Sequence, residues 1–235
     1  AITGIAISVV VLPQLSKHVY LKQKNKILKI QNKALELSMF LSLPATIALL
    51  IGSEEIISAL FGYGSFDKTA VKNSALALYY FSFGLPAFAF IKVFSSFFFA
   101  NHNTTLPFYI SFISVLLNII ISIYYFKDIG FVIIPIATSI SSWFNAIILF
   151  IYLKKENLFY FEKDFLFKFL KIIFASLLMC LFFKYLISNY ESLLTYSYNL
   201  KIFYLILFVI LAFIFYLLVS IFIKAFNYQD LKLKY

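Results

Sequence analysis

Few polar residues interrupt the apolar stretches of this chain, and those few limit the chemistry it can do. Lys92 lies inside the apolar run 74–100. An ionisable side chain at membrane depth is costly and usually faces a cavity or a partner. An ammonium beside an anionic headgroup attracts phosphate as a point charge. The competing reading is snorkelling, because Lys92 stands eight residues from the end of its run, roughly 12 Å by helical rise, and a lysine stem nearly spans that distance. Asn118 and Ser122 are four residues apart and share one helix face, and Thr138 lies on the next antiparallel run, within reach of both. This set has no carboxylate, so a bound Na⁺ would be poorly compensated, and interhelical hydrogen bonding is the stronger expectation. Asn145 has the same two readings.

Covalent catalysis finds no matching residues. The chain has two histidines, His18 and His102, and one cysteine, Cys180. It contains no H-E-x-x-H, no Gly-rich phosphate loop and no Ser/His/Asp set. The single cysteine excludes an internal disulfide, and with two distant histidines no protein metal site is expected. All 20 basic residues are lysine, so bidentate arginine grips on pyrophosphate are unavailable and any phosphate contact falls to lysine.

The elements that must position these residues are membrane helices. The 235 residues are 63% hydrophobic and 13% charged, with a mean hydropathy of +0.95, whereas soluble domains are about a quarter charged. A net charge of +10 would suggest nucleic acid in a polar protein; no nucleic-acid partner is expected here. Crossing roughly 30 Å of hydrocarbon takes about 20 apolar residues, and six complete runs qualify: 35–51, 74–100, 106–126, 131–153, 165–187 and 200–223. The run 1–15 is too short and lacks the features of a signal peptide, so it reads as the later part of a helix that begins upstream. The predicted fold is an all-α polytopic bundle of six complete transmembrane helices plus one truncated N-terminal helix.

Charge orients this bundle. Fourteen of the 20 lysines fall in 16–33, 154–171 and the tail from Lys224, and five fall on the opposite side. The positive-inside rule then places the lysine-rich links and the C-terminus in the cytoplasm. The basic segment 17–33 has the pattern of an amphipathic helix lying on the inner leaflet. Pro107 is expected in a first helical turn, Pro13 at the end of the first segment, and Pro44, Pro86 and Pro135 as bends within or near the start of their spans. Gly62 and Gly64 mark an outer turn that needs a positive φ, beside Glu54, Glu55 and Asp67, which are expected to be solvated.

Several of these residues form a pattern. Leu12-Pro13-Gln14-Leu15-Ser16-Lys17 resembles the LPxLSK helix end of the MurJ (MviN) lipid II flippases, and Leu60 to Phe66 fits their LFxxGxF outer loop. Gly84-Leu85-Pro86 with Lys92-Val93, then Thr105-Leu106-Pro107, resembles the tenth helix and the entry to the eleventh. Asn118 and Asn145 fall where members often carry Asn on the eleventh and twelfth helices.

The resemblance implies the second half of a fourteen-helix transporter of the MOP exporter superfamily. Residues 1–153 would supply most of the second lobe, 154–164 a cytoplasmic linker, and 165–235 two appended helices and the tail. It further implies a flippase of the bacterial inner membrane that moves undecaprenyl-pyrophosphate-linked peptidoglycan precursor outward by alternating access, in cell-wall synthesis. Lys92, Asn118 and Asn145 would line the substrate cavity; Pro13, Gly64 and Pro86 would be structural. Family members with a sodium site carry an acid where this chain has Ser122, so Asn118, Ser122 and Thr138 would form a weak ion site at best. No cofactor is implied, and a monovalent cation or the membrane potential is left as the driving force. The partners implied are the lipid-linked precursor, membrane lipids and the N-terminal half of the same protein. The alternatives are another MOP-type polysaccharide-lipid flippase or exporter, a membrane-embedded polyprenyl-phosphate enzyme built on Glu156, Glu162 and Asp164, and a membrane scaffold.

Overall fold

The computed structural model describes residues 2–195 and 200–225, with side chains from residue 9 onward; Lys232 and Lys234 lie outside the described residues. The described elements are all helical: α1 (Ile2–Tyr20), α2 (Lys24–Ile51), α3 (Ser53–Phe61), α4 (Lys68–Ser82), α5 (Leu85–Ala100), α6 (Thr105–Ile129), α7 (Ile133–Lys155), α8 (Lys163–Asn189), α9 (Glu191–Leu194) and α10 (Lys201–Phe222). Five helical stretches are long and apolar enough to cross a membrane: Lys24–Ile51, Lys68–Ala100, Thr105–Lys155, Lys163–Asn189 and Lys201–Phe222. The third has 51 residues, roughly 76 Å if straight and more than twice the hydrocarbon thickness. It folds back on itself instead. Gly130 takes φ 72 and ψ −154 at the end of α6, a combination that in practice only glycine adopts, and a 3-10 turn at Gly130–Val132 leads into α7.

The hairpin is then stapled by side chains. Asn118 Nδ2 on α6 donates to Thr138 Oγ1 at 3.0 Å and to Ser141 Oγ at 3.4 Å on α7. The two hydroxyl protons are already committed, to the carbonyls of Ile134 and Thr138, so both oxygens face the amide as acceptors. Fifteen residues past the turn on α7, Asn145 Nδ2 donates to Ser111 Oγ of α6 at 3.3 Å.

Other breaks follow the prolines and glycines, with differences from the sequence reading. The run 74–100 is two helices, α4 and α5, parted at Phe83 and Gly84 just before Pro86. The carbonyl of Phe83 freed by this break accepts the indole N–H of Trp143 at 2.9 Å. Pro13 was expected to end the first segment, but α1 continues through it to Tyr20. A proline removes a single N–H, and one such loss does not end a helix. The basic segment 17–33 is not one amphipathic helix either. It breaks at Lys22, which has φ 53, with Gln23 folding back so that its Oε1 accepts from His18 Nδ1 at 2.8 Å; its two halves are the end of α1 and the start of α2. Gly52 ends α2, and the expected outer loop contains α3, capped at Gly62.

The chain divides into two compact units. One holds α1, α2 up to Ser42, α5, α6 and α7. Within it α5 packs on α1 and on α7, and α6 on α7. Helices in lipid gain nothing from burying apolar area against one another, so small residues that allow close approach sit at these contacts: Ala89, Ser96, Ala137, Ser142 and Ala146 are all buried. Several buried hydroxyls are satisfied on their own helices, as Ser96 to Val93 O at 2.7 Å and Ser114 to Ile110 O at 2.8 Å. A cluster of rings, Phe94, Phe97, Phe150, Phe159 and Phe161, closes this unit around the link between α7 and α8. Asn32 on α2 holds that link by its backbone: Nδ2 donates to Tyr160 O at 3.1 Å, and Oδ1 accepts from Glu162 N at 3.1 Å.

The other unit holds α2 from Leu43, α3, α4, α8 from Phe167, α9 and α10. Ile57 of α3 meets Val71 and Ala75 of α4, with Phe66 and Leu78 packed around them. Asp67 starts α4 as its cap, its Oδ1 accepting from Ala70 N at 2.7 Å, so it has a structural task beyond solvation.

Gly130→Ala puts a β-carbon on a backbone that only glycine favours and is expected to destabilise the fold by about 1–3 kcal/mol. Asn118→Leu, which leaves two hydroxyl oxygens without their donor, is expected to cost about 1 kcal/mol. Unfolding of the detergent-solubilised protein measures both.

Candidate functional site

A cavity of about 810 Å³ opens in the first unit between α1, α5 and the start of α6. Ile91, Lys92, Ser95 and Phe99 supply one wall, three and four residues apart along α5. Val9 of α1 contributes to the lining, and Thr104, Thr105, Pro107, Phe108, Tyr109 and Ser111 form the rest. Pro107 stands in the first turn of α6, where its absent N–H costs no hydrogen bond, so the start of α6 presents hydroxyls without losing its geometry. Lys92 is the one charged residue of this lining, and its side chain is exposed to the cavity rather than buried. No carboxylate lies within 4.0 Å of its ammonium among the described residues. The cavity therefore offers one positive charge and, among apolar neighbours, the hydroxyls of Ser95, Thr104, Thr105, Tyr109 and Ser111 along its lining, a combination that receives an anion carrying several oxygen acceptors.

The remaining sequence candidates sit at graded distances from this cavity. Asn145 touches it indirectly: its amide fixes Ser111 in the wall, while its Oδ1 is buried and makes no hydrogen bond. Asn118 and Thr138 are brought together, but through the hairpin staple and not around the cavity. Ser122 does not join them; its Oγ is buried and makes no hydrogen bond. Ser141 does join, and the sequence carried the signal, since it follows Thr138 by three residues and shares its face. Pro86 sits at the first turn of α5, two turns before Lys92. Gly64 has φ +60, as expected for the outer turn. Gly62 does not: its φ is −72, and glycine is needed there because a β-carbon would lie 2.5 Å from Ser58 O.

A second, smaller cavity of about 310 Å³ lies in the other unit between α3, α4 and α9, and it takes in Glu54 and Glu55, which were expected to be merely solvated. Glu54, Glu55 and Glu191 face it together with Lys68 and Lys72. Burial pushes the Glu55 carboxyl above its ordinary 4.5; a hydrogen bond from its own backbone pulls the other way, and Glu54 and Glu191 raise it further. The folded protein thus holds this proton more tightly than the unfolded chain does. Stability from Glu55 is full below pH 4.5 and is lost as pH rises through the raised value. Glu55→Gln is expected to raise the melting temperature at pH 7 and to flatten its decline between pH 5 and 7, as read by thermal unfolding in detergent.

The model of the family described as lipid II flippase MurJ matches residues 1–205. A probable lipid II flippase MurJ of Rhizobium meliloti (strain 1021) is 37% identical over 151 residues, covering 63% of this chain and 28% of that protein. One of Rickettsia prowazekii (strain Madrid E) is 34% identical over 160 residues, covering 67% and 31%. The chain thus spans about three-tenths of the length of these curated relatives. A solved lipid II flippase MurJ in an inward closed conformation superposes with a TM-score of 0.74 at 26% identity, covering 97% of this chain and 44% of that one. Helices that repeat that fold, and five stretches fit to cross a bilayer, make this a multi-pass bacterial membrane protein. The match to the family model over most of its length places the chain in the MurJ family.

Proposed function

We propose that the protein is a lipid II flippase, moving undecaprenyl-pyrophosphate-linked peptidoglycan precursor from the inner to the outer leaflet by alternating access. The observation that carries this reading is the cavity around Lys92: a lone ammonium among hydroxyls, in a chain whose family is that of the lipid II flippases. The headgroup needs a polar, water-accessible space, and its diphosphate needs positive charge. Lys92 supplies that charge from the α5 side, with Ser95, Thr104, Thr105 and Ser111 as hydrogen-bond donors and acceptors around it.

The protein breaks no covalent bond in this reading. Its work is to exchange the headgroup's hydration for cavity contacts and to bias a conformational equilibrium by binding more tightly to one state than to the other. The isoprenoid tail stays in lipid, against outward apolar side chains such as Phe203 on α10, which is 67% exposed. Residues 1–153 act as most of the second lobe, 154–164 as a cytoplasmic linker and 165–235 as the appended pair with its tail. The C-terminus lies on the cytoplasmic face, a reading supported by the fourteen lysines grouped on that side. No cofactor takes part. The driving force is the membrane potential or a monovalent cation; the staple formed by Asn118, Thr138 and Ser141 is neutral and favours the potential.

The test is translocation of lipid II by the intact protein in liposomes, alongside binding of lipid II and of another polyprenyl-pyrophosphate saccharide. Lys92→Ala is expected to weaken lipid II binding about tenfold, the loss of one charge-assisted contact, with Lys92→Arg close to the parent. Equal binding of the two lipids would point to a broader polysaccharide-lipid exporter. Unchanged transport by Lys92→Ala would remove Lys92 from the path.

A further inference from the structure

Lys201 opens α10 and has no exposed surface at all, a setting lysine almost never occupies without compensation. Its surroundings favour a cation in three ways. The ammonium donates to Gly62 O at 2.7 Å. It stands 4.3 Å from the centroid of the Tyr63 ring, over the negative face of the aromatic quadrupole. Gly62 caps the C-terminus of α3, where the helix dipole is negative. Glycine at 62 keeps this approach open, because a β-carbon there would lie 3.2 Å from the Lys201 ammonium as well as against Ser58 O.

We infer that Lys201 is a positioning residue that latches the turn after α3 to the start of α10, through the Gly62 carbonyl and the Tyr63 ring. Only α3, α10 and the intervening turn are needed, and α3 packs directly on α10. The turn is the Leu60 to Phe66 motif, and the latch accounts for residues that the cavity leaves without a role: Gly62 gives room, Tyr63 gives the ring, and Gly64 at φ +60 turns the chain away again. The latch is independent of what the protein transports.

Hydrogen exchange in the intact protein tests it at the amides the turn protects, those of Gly62, Tyr63 and Phe66, which donate to Ser58 O, Phe61 O and Tyr63 O. Lys201→Met, which keeps the length and removes the charge, is expected to speed exchange at these three amides about tenfold while leaving that of Ala70 unchanged. Tyr63→Leu speeds it severalfold and Tyr63→Phe, which keeps the ring, leaves it within twofold of the parent. The Lys201→Met and Tyr63→Leu double variant exchanges no faster than Lys201→Met alone. Unchanged exchange in Lys201→Met, equal effects of Tyr63→Phe and Tyr63→Leu, or additive effects in the double variant would each overturn the latch. If Lys201→Met does not reach the membrane folded, the comparison of the two Tyr63 variants decides alone.

Discussion

A hydrocarbon phase offers no water to an unpaired N–H or C=O, and the structure is organised around that constraint. At two breaks of the backbone ladder, a side chain from a distant helix takes up the freed carbonyl. The break between α4 and α5 leaves Phe83 O to the Trp143 indole. The end of α3 leaves Gly62 O to the Lys201 ammonium. The buried Ser96, Ser114 and Ser176 return their protons to carbonyls one turn back. Each solution uses a group that would be solvated in a water-soluble protein, so the polar residues of this chain serve the fold first and leave few for transport.

That economy explains why the cavity is so sparsely charged. A lysine can be kept at membrane depth only if it faces a space that an anion or water can enter, and Lys92 does. Asn118, Thr138, Ser141 and the Asn145 amide are locked into the α6 and α7 hairpin. A neutral staple holds two helices without the desolvation cost of a buried ion pair, and it leaves the cavity's single charge undiluted by competing acids.

The apolar runs were legible because a membrane helix announces itself by composition over a length fixed by the bilayer. A bend at Pro86 was legible from the proline, but not the full break at Phe83 and Gly84 before it, and Pro13 was misread as a helix end. The nine residues of α3 were not legible: two glutamates in the first turn read equally well as a solvated loop. Ser141 could have been found from its spacing to Thr138. Lys201 could not. On sequence it is one more lysine beside a span, and its burial over Tyr63 depends on a turn 139 residues earlier, which no local pattern encodes. The charged cavity of Glu55 was hidden for the same reason, since Glu191 reaches it from a distant segment.

Asn32 treats the link between α7 and α8 as a neighbouring strand would, binding one carbonyl and one amide two residues apart and no side chain. Such a grip is indifferent to the identity of residues 160 and 162 but not to their register. The length of this link is therefore constrained separately from the identity of residues 160 and 162: an inserted residue between Tyr160 and Glu162 would break the paired contacts of Asn32 and part Phe161 from Phe159.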